Sequence, residues 1–366
     1  MSCWLYSLPL LKAQNFRHSE LVTLGTSKPM TILGLRLPVF CLFFLGFPLL
    51  WLLWIGVYAI SPASPSPNSY IDVVIPIRTR VSEIEHILAD NKVIMDDSRF
   101  SMLVILTGAA TKLRAGEYRF ETGKKPIAII NLLKEGKVLY RPVTMPEGTE
   151  MSKVADILEA EGWIDRTKFF ALADDSKFLR KMGIEADSLE GYLFPDTYNL
   201  SRGQQDEEGI IRMMVARHFQ IYNKLMGNSN AYRHSLSHHE IITLAAIIEK
   251  ETSLSRERPL IASVFLNRLG KGMRLQADPT VRYGNSYIEG PLRKSELKNS
   301  TSYNTYIIKG LPPGPITNPG EATIQAVIFP AETDYLYFVA KDDSSHHFSR
   351  TLKEHNRAVA RYRASR

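Results

Sequence analysis

Residues 37–60 run for 24 positions without one charged side chain, and nothing else in the chain restricts its fold as strongly. A helix of that length reaches about 36 Å, enough to cross a hydrocarbon layer of ~30 Å with some tilt. Core helices rarely lack a polar position for so long. A cleavable leader has a shorter apolar run that ends in small residues, whereas this one ends in Pro/Ser-rich sequence. The segment therefore reads as a retained membrane-spanning helix, in which Pro48 is tolerable. Lys12, Arg17, Lys28 and Arg36 precede it against Glu20 alone, and residues 61–70 carry no charge. The bias of basic residues places the N-terminus in the cytoplasm and residues 61–366 outside.

The flank holds +3 of the chain's net +7, leaving +4 beyond the span. That surplus is too mild and too dispersed for a nucleic-acid surface, which concentrates its basic residues in a stripe. Both cysteines, Cys3 and Cys41, fall in the tail and the span. The exported part thus needs no disulfide and no thiolate metal site. Met30, shortly before Arg36, is an alternative start.

Beyond a Pro/Ser spacer over residues 61–70, an internal repeat appears. Val73, Pro76, Thr79, Ser82, Ile87, Leu88, Ile94 and Phe100 recur 70 residues later as Val143, Pro146, Thr149, Ser152, Ile157, Leu158, Ile164 and Phe170. Each copy reads as a strand, a turn ending in a Ser/Thr cap, an amphipathic helix, a second helix and a closing strand. The closing strands, around Tyr118 and Tyr198, stand 80 residues apart, so the second copy carries ten extra residues. These coincide with Leu189-Glu190-Gly191-Tyr192-Leu193-Phe194-Pro195. Two copies are too few for a solenoid and indicate a pair of β-α-α-β modules. Helical spacing over residues 207–226 then leads, through a polar turn at 228–236, to the final third.

That third opens with a capping box, Ser237-His238-His239-Glu240, ahead of an apolar helix ending in Glu249-Lys250-Glu251-Thr252. The helix has almost no polar face and belongs inside a core. Two carboxylates at its C-terminus are then anomalous, because helix C-termini favour cations. At about 100° per residue Glu249 and Glu251 point about 160° apart and cannot share a proton. Glu251 extends the apolar stripe of Leu244. A carboxyl there should be held protonated, as a general acid requires. The plain alternative for either residue is an ion-paired glutamate, with Arg256 or Arg258 as partner.

A second helix, from about Ser255 to Gly270, is followed by three loops rich in amides, hydroxyls and aromatics: residues 273–280, 303–306 and 311–320. Such side chains suit a sugar-binding cleft, although Pro/Gly loops are often only loops. Asp278 is the one acidic residue in these loops and the natural second carboxylate. His346-His347 lacks further spaced ligands, so no metal and no other cofactor is expected.

Several stretches resemble the endolytic murein transglycosylase, or YceG-like, family. They are Ala246-Ile247-Ile248-Glu249-Lys250-Glu251-Thr252, Ala262-Ser263-Val264-Phe265-Leu266-Asn267-Arg268-Leu269, Leu275-Gln276-Ala277-Asp278-Pro279-Thr280, Tyr303-Asn304-Thr305-Tyr306, Gly310-Leu311-Pro312-Pro313-Gly314-Pro315-Ile316 and Asn318-Pro319-Gly320. The resemblance covers about residues 71–360. Arg256, where relatives often carry Ser, and a longer tail are small departures.

The resemblance implies an inner-membrane protein with LysM-like modules that cuts nascent peptidoglycan between N-acetylmuramic acid and N-acetylglucosamine, leaving a 1,6-anhydro end. It places the catalytic glutamate on Glu251. Gln276, Asp278, Thr280, Tyr303, Asn304 and Thr305 become candidates for holding substrate, and cell-wall synthases become candidate partners. The expected architecture is α+β: tail 1–36, span 37–60, linker 61–70, LysM-like modules at 71–140 and 141–236, and a mixed catalytic domain at 237–366. A hydrolytic muramidase using Asp278 or Glu249, and a non-catalytic peptidoglycan-binding scaffold, are the competing expectations.

Overall fold

The structure, a computed structural model, describes residues 30–32, 35–37, 39–63, 69–227, 235–285, 290–341 and 345–364, with side chains from Gly46 onward. Most of the tail, the middle of the Pro/Ser spacer and most of the polar turn before the last third lie outside the described residues. The chain divides into two compact units, Met1–Ile60 and Ser61–Arg366.

In the first unit a short hairpin, β1 (Met30–Ile32) and β2 (Leu35–Leu37), precedes helix α1 (Val39–Ile60). Leu37, expected to begin the span, instead closes β2. Phe47, Leu49, Leu50, Leu53 and Val57 all stand exposed on α1. Among the described residues no helix is long and apolar enough to cross a membrane. Of the expected span, the side chains before Gly46 lie outside the described residues.

The second unit is α+β and begins with the repeat. Its first copy is β3 (Tyr70–Ile75), α2 (Val81–Asp90), α3 (Arg99–Leu106) and β4 (Gly116–Glu121). Helix α4 (Pro126–Glu135) leads to the second copy, β5 (Arg141–Thr144), α5 (Met151–Ala160), α6 (Arg166–Ala173), α7 (Ser176–Lys181) and β6 (Thr197–Leu200). In each copy the outer strands pair antiparallel, with Val73 opposite Tyr118 and Val143 opposite Tyr198. Ile84 and Leu88 are buried in the first copy, as Val154 and Leu158 are 70 residues later.

The likeness extends to single hydrogen bonds. Thr79 Oγ1 donates to the Pro76 carbonyl at 2.7 Å, and Thr149 Oγ1 to that of Pro146 at 2.7 Å. Tyr118 Oη reaches back to the Arg114 carbonyl at 2.7 Å, and Tyr198 Oη to that of Phe194 at 2.6 Å. These threonines close the turn rather than cap the helix. The N-caps are Arg80 and Glu150, a correction to the expected Ser/Thr cap. The 70-residue spacing also slips at its end. The fully buried ring in the second copy is Phe169, whereas Phe170 is partly buried beneath Arg166. Ahead of its closing strand the second copy also forms a third helix, α7, that the sequence pattern did not announce.

Helix α8 (Glu207–Gly227) joins two cores. Ile210, Ile211, Met214 and Val215 pack with the second copy, while Ile221 and Leu225 pack into the core of the last third. That core surrounds α9 (His238–Glu251), with α10 (Arg258–Gly270), α11 (Asp278–Tyr283) and α12 (Glu321–Ile328) following. A hairpin of β7 (Tyr337–Ala340) and β8 (His346–Ser349), then α13 (Leu352–Ala364), complete the unit. Tyr118→Phe and Tyr198→Phe each remove one repeated, largely buried hydrogen bond without altering shape. Urea denaturation should show each variant destabilised by about 1 kcal/mol.

Candidate active site

The site is built on α9. Its capping box forms as its sequence specifies: Ser237 Oγ accepts the Glu240 amide at 3.3 Å, and the Glu240 carboxylate accepts the Ser237 amide at 2.8 Å. Ile241 through Ile248 are then buried without interruption. A helix enclosed on all sides has one fixed position, so the groups at its C-terminal end are held firmly.

The two carboxylates there have different surroundings. Glu249 is fully engaged. Its Oε1 takes Arg258 Nη2 at 2.9 Å, and its Oε2 takes the Gly320 amide at 3.0 Å and the Thr323 hydroxyl at 2.5 Å. This is a buried, hydrogen-bonded ion pair, the arrangement that stabilises a charged carboxylate away from water. Arg258, one of the two partners anticipated from sequence, supplies the cation.

Glu251, the last residue of α9, has no such partner: no hydrogen bond among the described residues reaches its carboxyl. It opens on a cavity of about 460 Å³ lined also by Glu150, Lys250, Asp278, Pro279, Arg282, Tyr283 and Ile316. Burial pushes the Glu251 carboxyl up to about 8; the charge of Asp278 adds to this, and that of Arg268 opposes it. The carboxyl is therefore protonated at neutral pH, which is the state a general acid needs.

Asp278 begins α11 and is exposed, its Oδ1 accepting the Tyr306 hydroxyl at 2.6 Å. Gln276 is exposed, with φ +52, and its amide donates to the Thr305 carbonyl at 3.1 Å. Thr280, Asn304 and Thr305 are fully buried and do not line the cavity. The Thr305 hydroxyl lies 2.9 Å from that of Thr280 and accepts the Ala277 amide at 2.9 Å, while Asn304 Nδ2 donates to the Leu297 and Asn299 carbonyls. They hold the loop that presents Asp278. Tyr303 packs its ring 4.9 Å from that of Tyr283. The third loop is mostly interior: residues 314–320 are buried, and Ile316 is its member on the cavity. His346 is spent on Glu257 at 2.7 Å.

Sequence reasoning missed Arg268, Glu190 and the turn of residues 146–150. Arg268 is buried, donating to the Leu336 and Leu275 carbonyls at 2.7 and 2.6 Å, and its guanidinium acts on Glu251. A cation in the last turn of the mostly apolar α10 was the available signal. The turn of the second repeat forms one side of the cavity. Glu150 lines it, the Gly148 carbonyl accepts Lys250 Nζ at 3.3 Å, and Glu147 lies 3.5 Å from Arg258. Gly148 adopts φ +73, as Arg78 adopts φ +63 at the matching position of the first copy. Here the turn passes against α9, and a Cβ would stand 3.4 Å from Glu249 Cγ. Tolerance of positive φ and a close approach both favour glycine.

The YceG-like family model matches residues 73–361, which spans the repeat and everything the cavity is built from. The chain belongs to the YceG-like family. It is similar to an endolytic murein transglycosylase of Bacillus subtilis, 33% identical over 329 residues that cover 85% of this chain and 90% of that one. A namesake from Streptococcus pneumoniae is 25% identical, covering 83% of this chain and 60% of its own. The crystal structure of a YceG-like protein from Listeria monocytogenes superposes with a TM-score of 0.53 at 34% identity, covering 80% of this chain and 99% of that one. In this member of the family the buried helix α9 thus ends on a glutamate whose carboxyl burial holds in its protonated form.

The raised Glu251 value has a consequence for stability. Its carboxyl ionises near 4.5 in the unfolded chain and near 8 in the folded one, so folding resists its charge and native stability falls as pH rises between those values. Glu251→Gln removes that penalty. Its advantage over the parent in thermal unfolding should be small at pH 5 and grow by pH 8 to on the order of 3 kcal/mol.

Proposed function

We propose that this YceG-like protein is an endolytic lytic transglycosylase that cuts peptidoglycan glycan strands between N-acetylmuramic acid and N-acetylglucosamine. The observation that carries the reading is the solitary, protonated Glu251 on an open cavity, in a chain whose relatives are named endolytic murein transglycosylases.

The chemistry needs one acid. The Glu251 proton passes to the glycosidic oxygen as the bond from C1 breaks. The resulting carboxylate then takes the proton of the muramic acid C6 hydroxyl, whose oxygen bonds to C1 and closes the 1,6-anhydro ring. No water enters, and Glu251 ends protonated. Glycosidases that admit water require a second carboxylate as base or nucleophile. Asp278 has a different task in this scheme: its charge keeps the Glu251 proton in place and favours positive charge at C1 in the transition state. Gln276 and Tyr303, with Asp278, contact the glycan, while Thr280, Asn304 and Thr305 position the loop that carries Asp278.

The remaining assignments follow from sequence and chemistry. Residues 37–60 anchor the protein in the inner membrane with the tail cytoplasmic, supported by their lack of charge and by the exposed apolar side chains of α1. The two β-α-α-β copies act as LysM-like modules over residues 71–140 and 141–236, and residues 237–366 form the catalytic domain on the outer face. Cell-wall synthases, which make the strands it cuts, are the expected partners.

Mass spectrometry of uncrosslinked glycan strands digested by the full-length protein tests this. Internal fragments ending in 1,6-anhydro-muramic acid are expected from the parent and at least 100-fold fewer from Glu251→Gln. Reducing ends from the parent would instead indicate hydrolysis, with Asp278 directing water.

A further inference from the structure

The Glu190 carboxyl takes no part in the chemistry above, yet it is among the most enclosed charged groups of the protein, 5% exposed. It lies in the stretch that the second repeat has and the first lacks. Three elements converge on it. The first amide of α5, that of Met151, donates to both oxygens at 3.0 and 3.1 Å. The Tyr283 hydroxyl of α11 donates to Oε2 at 3.3 Å, and Asn318 Nδ2 of the loop before α12 approaches Oε1 at 3.4 Å.

Each of these donors connects to the cavity. Tyr283 lines it directly. Met151 follows Glu150, which lines it as well. Asn318 accepts the Leu193 amide at 2.9 Å through its side chain and the Gly148 amide at 2.9 Å through its carbonyl, which ties the inserted stretch to the turn against α9. The insert is seated with little freedom: a Cβ on Gly191 would meet Pro315 at 2.4 Å, and Tyr192 Oη lies 2.8 Å from His239 Nδ1 near the start of α9.

We propose that Glu190 is a positioning residue for the cleavage reaction, a buried carboxylate through which the second repeat fixes Tyr283 and Glu150 in the wall of the glycan-binding cavity. This rests on the reading of the cavity as the place where glycan is cut. The second repeat is then part of the active site, and the ten-residue difference between the copies is what joins it there.

The junction has a titration of its own. Burial, with the Glu150 charge adding, pushes the Glu190 carboxyl up to about 7, while the Met151 and Gly191 amides and the Tyr283 hydroxyl oppose it. Tyr303, whose own titration responds to Glu190 and Asp187, also faces it; the loop of residues 311–320 has no ionisable group. Above about pH 7 the carboxylate accepts all of these donors, and below it the proton displaces one of them. Glu251 must keep its proton, which it loses above about 8. The rate should therefore rise through pH 7 on Glu190 and fall through pH 8 on Glu251.

The test uses the full-length protein and purified uncrosslinked glycan strands. Glu190→Gln and Tyr283→Phe should each lower kcat/KM about tenfold at pH 7.5, largely through KM, and the double variant should lose no more than either alone. Both should flatten the acidic limb of the pH profile, leave the alkaline limb in place, and show coupled effects in urea unfolding. Glu190→Asp, too short to span the junction, should resemble Glu190→Gln. If both variants cut with the parent's kcat/KM and acidic limb, Glu190 is only a structural staple and the proposal falls. Should Glu190→Gln fail to fold, the Tyr283→Phe profile still decides. Undiminished cleavage by Glu251→Gln would overturn the cavity reading itself, a failure distinct from loss of the Glu190–Tyr283 coupling in unfolding.

Discussion

Everything at the site depends on the burial of α9. Ile241 to Ile248 face protein on every side, so the helix cannot shift or rotate without opening the core around it. Its C-terminal end is a poor place for two negative charges. The fold resolves this in two different ways two residues apart. Glu249 is neutralised by Arg258 and three donors in all, and so becomes part of the scaffold. Among the described residues Glu251 is given no donor, and the same burial that would penalise its charge keeps its proton on. The acid is made by withholding partners, with Arg268 nearby setting a limit on how far the value climbs.

The repeat shows how such a site is enclosed. Both copies share their strand pairing, their Thr-closed turns and their tyrosine hydrogen bonds. They part where the second turns toward the last third. Its turn carries Gly148 where the first has Arg78, and presses against Glu249. Its insert carries Glu190, Gly191 and Tyr192, which seat on α11, Pro315 and His239. The second copy thus supplies part of the wall of the cavity on which Glu251 opens.

Much of this was legible in the sequence, and the reasons are specific. The capping box and the apolar run located α9 almost to the residue, because both are local patterns. The 70-residue repeat gave the strand and helix order of both copies, since periodicity survives as long as each copy keeps its own core. Glu251 stood out as a carboxylate on an apolar stripe, and its family resemblance agreed. Less legible was whatever depended on distant contacts. Thr280, Asn304 and Thr305 have side chains that suit sugar as well as they suit one another, and only packing shows that they bond among themselves. Glu190 sits in a stretch that looked unusual for its aromatics, and the donors that converge on it come from residues 39, 93 and 128 positions away. The Ser/Thr caps failed because Thr79 and Thr149 find a carbonyl in the turn before they reach a helix amide.

The central claim is that Glu251 is kept protonated by its surroundings at neutral pH. It is tested most directly by infrared titration of the protonated-carboxyl band, taking the parent spectrum minus that of Glu251→Gln at each pH. A single carboxyl titrating with a midpoint of about 8 is the expected result. A midpoint near the ordinary value of 4.5 would contradict the account, because Glu251 would then reach neutral pH with no proton to give.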